Sequence, residues 1–185
     1  ATGRIVNNES GDILRMLDQG FGDLAEDGID LYPEPLRDEI DELNDRIYDT
    51  VNNAVYKAGF ATDQDVYERE VVQLFDTLDM LDDRLADRRF LFGDTPVETD
   101  WRLFTTLIRF DAVYLIHFKV SLKRLVDYAN LWPYARDLFQ QPGIAETVKM
   151  DQVRAHYYRT HPMINPSGLV ALSPEADFHA PHARD

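Results

Sequence analysis

Leu36-Arg37-Asp38-Glu39-Ile40-Asp41-Glu42-Leu43-Asn44-Asp45-Arg46-Ile47-Tyr48-Asp49-Thr50-Val51-Asn52-Asn53-Ala54-Val55-Tyr56-Lys57-Ala58 places Leu36, Ile40, Leu43, Ile47, Val51 and Val55 at intervals of three or four. That recurrence draws one continuous apolar stripe along an α-helix, and Asp38, Glu39, Asp41, Glu42, Asp45 and Asp49 fall mostly on the other face. Gly59 is a natural stop. Thr62 then offers a cap for a second long helix reaching about Ala86, with Tyr67, Val71, Leu74, Leu78, Leu81 and Leu85 alternating spacings of four and three. A seam of this kind packs against an antiparallel neighbour. Residues 36–86 therefore predict a helical hairpin.

The helical pattern extends on both sides. Ser10 is placed to N-cap a short helix with Ile13, Leu14 and Leu17 on its apolar face, stopped near Gly20 and Gly22. Residues 21–35, ending in Tyr32-Pro33-Glu34-Pro35, read as a linker. After Gly93, Thr95-Pro96-Val97-Glu98 combines a capping-box pattern with a first-turn proline. The helix predicted over about Pro96–Phe118 is apolar on nearly every side and belongs at the centre. Its Arg109 and Asp111 must then be paired or reach an edge. Asn130 is a candidate cap for a helix ending before Gln141-Pro142-Gly143. A turn at Ile144–Val148 and a helix over about Asp151–Arg159 follow, then an irregular tail from about residue 160. No segment has a strand period. The fold class read from the residues is all-α.

Composition narrows the function. One well-packed core suits 185 residues. No apolar run approaches the roughly 20 residues of a membrane helix, and the N-terminus does not read as a secretory signal. A formal charge of −15 argues against nucleic acid as partner. The absence of cysteine excludes disulfides and zinc-thiolate sites and fits a cytoplasmic protein. Only Lys57, Lys119, Lys123 and Lys149 are lysines among 19 basic residues. An acidic, lysine-poor surface suits strong salt and points to a halophilic source, with an ordinary acidic bacterial protein as the alternative.

Two polar-aromatic stretches stand out: Val51–Thr62, containing Tyr56, Lys57 and Phe60, and Arg154-Ala155-His156-Tyr157-Tyr158. A phenol at such a place can hydrogen-bond a ligand hydroxyl while its ring packs on an aromatic face. Half-buried core tyrosines fit the same spacing. Tyr157 and Tyr158 are adjacent on a helix and cannot both face one way. Glu9-Ser10 at a helix start is a second constellation: backbone N–H groups there suit a carboxylate, and the glutamate suits an ammonium. An ordinary helix cap is the alternative. His161, Asp177, His179 and His182 match no metal-ligand spacing, so no metal is expected. His117 and His156 read as structural residues.

The chain resembles the C-terminal helical domain of glutathionyl-hydroquinone reductases, an omega-like (xi) branch of the glutathione S-transferase superfamily. The superfamily look lies in Gly93–Asp100 followed by a buried helix, and in Asn130-Leu131-Trp132-Pro133-Tyr134 running to Thr147. The branch look lies in Ile5–Ser10, Val51–Thr62, Trp101–Asp111, His117-Phe118-Lys119, His156-Tyr157-Tyr158, Ile164-Asn165-Pro166 and Pro181-His182. The resemblance covers nearly the whole chain. It implies a glutathione S-transferase C-terminal-like bundle over 36–185, with residues 1–20 as the last helix of an N-terminal thioredoxin-like domain that carries the reactive cysteine. The chain alone should then not turn over substrate.

The resemblance further implies glutathione, or another γ-glutamyl thiol, as co-substrate, held at Glu9 and Ser10. It implies a hydroquinone pocket lined by Tyr56 and Tyr157, a homodimer, and reductive removal of the thiol from a glutathionyl-hydroquinone. Val97 departs from the family pattern, standing where a capping threonine is expected, with Thr95 and Glu98 as possible substitutes. A reading from another class is a non-catalytic helical interaction module. An upstream Cys-Pro pair in the complete gene product separates the two.

Overall fold

The computed structural model describes residues 3–21, 30–174 and 176–184. Among these residues, helices carry the fold and the one β-type pairing is an isolated bridge between Phe90 and Gly93. Of the residues read as a linker, 22–29 lie outside the described ones, as does the predicted stop at Gly22.

The predicted hairpin is present, but its first arm is interrupted. Helix α2 (Arg37–Ile47) passes into a π-helical turn at Tyr48–Asn52 and then α3 (Ala54–Gly59). Helix α4 (Gln64–Arg84) returns alongside and packs on α3. The stripes meet as expected: Ile40, Ile47, Val51, Val55, Leu74, Leu78 and Leu81 are all essentially buried. The cap of α4 is a correction. Asp63, not Thr62, accepts the Val66 amide at 3.1 Å, because a carboxylate one residue nearer the helix meets that orphan donor directly.

The central helix is also divided. Helix α5 (Glu98–Leu107) leads through a π-helical turn at Phe110–Tyr114 into the single turn α6 (Leu115–His117). Val97 occupies the N-cap and has no oxygen to offer, so the box is half formed. Asp100 closes it, accepting Val97 N–H at 2.8 Å, Leu91 N–H at 3.0 Å and the Tyr134 hydroxyl at 2.7 Å. Burial outweighs those donors and pushes the Asp100 carboxyl up to about 6. Glu98 does not substitute for the missing threonine, since its carboxylate points to Arg15 and Asn44. The two charges within the central helix are satisfied as anticipated: Asp111 accepts Leu125 N–H at 2.7 Å and Val126 N–H at 3.2 Å, and Arg109 donates to the Thr105 carbonyl.

Helix α7 (Leu131–Gln140) and helix α8 (Met150–Thr160) complete the bundle. Asn130 sits at the start of α7 without capping it. The Asp82 carboxylate from α4 accepts both Asn130 N–H and Leu131 N–H, at 2.8 and 2.7 Å. From His161 onward the described residues are turns and extended chain. That segment is tied down by Phe178 against Trp132 and Phe139, and by Arg184, whose guanidinium donates to the carbonyls of Leu85, Arg88 and Arg89.

Helix α1 (Ser10–Gln19) docks by charge rather than by apolar burial. Arg15 donates to both oxygens of buried Glu98 at 2.9 and 2.7 Å and to Asp41 at 2.5 Å, while stacking 3.7 Å over the Tyr32 ring. Hydrogen bonding to Glu98 holds the Arg15 pKa above its ordinary value. The apolar residues predicted for this helix remain open: Leu17 is 59% exposed and Ile13 36%. Ser10 is also corrected. It is the first helical residue, and Glu9 occupies the cap with extended backbone, its N–H donating to Asn7 Oδ1 at 2.8 Å.

Candidate functional site

The two tyrosines singled out in separate stretches meet. Tyr56 on α3 and Tyr157 on α8, 101 positions apart, have hydroxyl oxygens 2.6 Å from each other. Tyr114, at the end of the second π-helical turn, brings a third hydroxyl 3.1 Å from that of Tyr157. The exposures grade outward: Tyr114 2%, Tyr157 7%, Tyr56 37%. The result is a chain of phenols that runs from the core to the surface.

Phe118 is the floor of this cluster. Its ring stacks on Tyr114 at 5.6 Å with the planes 6° apart, and meets Tyr56 and Tyr157 edge-on. Gly59 makes that placement possible. A Cβ there would lie 2.2 Å from Phe118 Cδ1, so Gly59 serves close approach, and the helix ends only after it. Phe60 and His161 close the rim, and His161 Nδ1 lies 3.0 Å from His117 Nε2. Tyr158 faces elsewhere, toward the Ala112 carbonyl. His117 is buried, as befits a structural residue, but His156 is exposed.

Burial keeps the Tyr114 and Tyr157 hydroxyls protonated. Burial pushes the Tyr157 hydroxyl up to about 12, with Tyr114 pulling it back and Tyr56 adding to the rise. Burial holds Tyr114 far above the ordinary phenol range, reinforced by the other two tyrosines. At neutral pH these groups can donate a hydrogen bond or a proton to a ligand, and neither of the two is an anion.

Glu9 lies in a second feature, an open polar cleft of about 430 Å³ with Arg15, Asn44, Tyr48 and Arg102 in its walls. Ser10 is exposed beside it. The π-helical turn relates cleft and cluster. In an unbroken α-helix, residues eight apart differ by about 80° in direction; one extra residue in a wide turn brings them back to within about 20°. Tyr48 of the cleft and Tyr56 of the cluster thus share a face, about 10 Å apart along the axis. Asn52 sits between them and donates to the Arg102 carbonyl at 3.2 Å.

Tyr114 escaped sequence reasoning because it lies in a run of apolar residues, where an aromatic reads as core. The available signal was a tyrosine among the phenylalanines Phe104, Phe110 and Phe118. Among the described residues, no group of three or more histidine, aspartate or glutamate side chains could hold a metal, and no helix is long and apolar enough to cross a membrane.

Comparison with known proteins agrees with this architecture. Residues 64–137 match the glutathione S-transferase C-terminal domain. Over 181 residues the chain is 50% identical to the glutathionyl-hydroquinone reductase YqjG of Escherichia coli, covering 98% of this chain and 55% of that protein. The glutathione-bound structure of YqjG, a glutathione transferase homolog, aligns with a TM-score of 0.95 at 49% identity, over 97% of this chain and 59% of that one. A Xi-class transferase from Natrialba magadii aligns at 0.94 and 51% identity, over 97% of this chain and 55% of its own. The chain spans about half the length of the curated relatives it matches.

Proposed function

This chain contains a C-terminal domain of the glutathione S-transferase family, and from that premise we propose that it is the acceptor-binding part of a reductase that removes glutathione from glutathionyl-hydroquinones. In this reading residues 36–185 are the helical domain and 1–20 close a thioredoxin-like domain. The observation that carries it is the hydroxyl pair of Tyr56 and Tyr157, 2.6 Å apart in an aromatic cluster whose outer member, Tyr56, is open to solvent. A flat ring with hydroxyl substituents matches both features, packing on the aromatic walls and exchanging hydrogen bonds with the phenols.

The chemistry needs a thiolate, and these 185 residues contain no cysteine. The nucleophilic cysteine is therefore proposed to lie in a thioredoxin-like domain outside them. Its thiolate attacks the glutathione sulfur of the conjugate. The carbon–sulfur bond breaks, its electron pair passes to the ring carbon, and that carbon takes a proton. A second glutathione then attacks the mixed disulfide, leaving as glutathione disulfide and restoring the cysteine. Tyr56 and Tyr157 are assigned to orient the ring and supply that proton, a role suited to Tyr157, whose hydroxyl burial holds protonated near neutrality.

Glu9 and Ser10 are proposed to hold the γ-glutamyl end of glutathione, the carboxylate of Glu9 facing the ammonium group. The open Ile13 and Leu17 face of α1 supports a further domain packing there. A homodimer and adaptation to strong salt complete the proposal. The test is turnover of glutathionyl-menadiol by the complete protein. Tyr56→Phe and Tyr157→Phe should each lower kcat by about a hundred- to ten-thousandfold, the scale of general-acid contributions. Wild-type kcat in both variants would remove the phenols from the mechanism.

A further inference from the structure

A second cavity lies on the other side of the central helix. It is half open to solvent and holds about 860 Å³, with walls including Leu107, Leu125, Phe139, Met150 and Phe178. Asp111 and Ala112 line it, whereas Tyr114 of the same π-helical turn belongs to the tyrosine cluster; Tyr56 and Tyr157 do not border it. The outer wall comes from the chain after α8, and it is fixed on both sides. Arg154 donates to the Ala171 carbonyl, and Gln140 donates to the carbonyls of Phe178 and Ala180 at 2.8 and 2.9 Å.

A largely apolar concavity of this size falls within the range of small-molecule sites. Its charges select the ligand. Asp111 is buried at the wall, and Glu146 and Asp177 stand exposed at the border. Among the described lining residues an anion would meet those carboxylates against one guanidinium, that of Arg154, whose Nη2 is already engaged with the Ala171 carbonyl. The Nε of Arg154 is buried and without a partner among the described residues. A buried donor left unpaired is unfavourable, and an acceptor on a ligand would satisfy it.

We propose that this cavity is a binding site, separate from the tyrosine cluster, for a neutral and largely apolar ring molecule bearing a carbonyl or hydroxyl oxygen that accepts from Arg154. The proposal does not depend on the reductase reading. Nile red, a neutral ring dye with one carbonyl, is the probe. Titrated into the 185-residue chain, it should bind one to one with a blue-shifted rise in emission. Ala145→Trp fills the cavity from its border and should weaken binding at least about tenfold with the helical circular dichroism unchanged. Arg154→Lys keeps the charge but removes the Nε donor, and should weaken binding about three- to tenfold. Tyr56→Phe should leave it unchanged.

Three results would overturn the proposal: no saturable binding, wild-type affinity in both Ala145→Trp and Arg154→Lys, or a sulfonated anionic dye binding more tightly than Nile red. Should Ala145→Trp fail to fold, Arg154→Lys decides alone. Displacement of Nile red by menadiol together with loss of binding in Tyr56→Phe would place the dye at the tyrosine cluster, and also count against it.

Discussion

At the scale of single residues, the phenol cluster joins positions that are far apart in sequence and chemically alike. Tyr56 and Tyr157 each stand in a polar-aromatic stretch, but the spacing there fits half-buried core tyrosines as well, and it was the resemblance that singled the two out. Tyr114 was not legible, since burial in an apolar run hides a hydroxyl whose partner comes from another helix. The histidine pair beneath the rim was hidden in the same way, and it has a measurable consequence. Burial lowers the His117 pKa, with His161 and Lys119 adding to the effect; burial also lowers His161, helped by His156. An unfolded histidine titrates near ~6.5, so as pH falls the unfolded chain takes up protons first. The stability tied to the neutral imidazoles is therefore present above about pH 6.5 and is lost below it, until the folded histidines also protonate. Denaturant midpoints compared at about pH 7.5 and 5.5 should fall more for the wild type than for His117→Gln. Equal falls would show that this pair does not govern the acid limb.

At the scale of elements, the apolar periodicity located every long helix but not the breaks within them. Leu43, Ile47, Val51 and Val55 follow one another at steps of four, longer than the 3.6-residue turn, and the π-helical turn at Tyr48–Asn52 takes up that excess. The drift was visible in the spacing, though a plain helix accommodates it in any local reading. Caps were less legible. Asp82 caps α7 from a different helix, and nothing within the α7 sequence announces a donor acceptor pair of that kind. Gly59 read as a helix stop, and α3 does end there; what the sequence did not show is that the missing side chain also admits the Phe118 ring. Gly59→Ala would force a methyl into a fully buried ring, and should destabilise the fold by about 1–3 kcal/mol. Thermal unfolding measures this; an unchanged midpoint would mean that Phe118 is not held against α3.

At the scale of the whole molecule, the bundle is closed by charges and by its C-terminal segment as much as by its stripes. Arg15 joins α1 to Glu98 and Asp41, and Arg184 donates to the Leu85 carbonyl at 3.0 Å and the Arg89 carbonyl at 3.0 Å beyond the end of α4. The anchoring of the segment after α8 by a guanidinium among carbonyls was not legible, because backbone acceptors leave no mark in a sequence. Arg184→Ala should lower stability by about 2 kcal/mol, read from urea unfolding, and no change would show that the tail is not bound by this residue.

The account as a whole rests on Tyr56 and Tyr157 forming one pocket for a hydroquinone ring. Tyrosine-ring ¹³C NMR of the labelled chain, followed while menadiol is added, tests that most directly. The prediction is saturable shifts of the Tyr56, Tyr114 and Tyr157 signals, with those of Tyr67 and Tyr128 unmoved. Saturation that leaves Tyr56 and Tyr157 unchanged would contradict it.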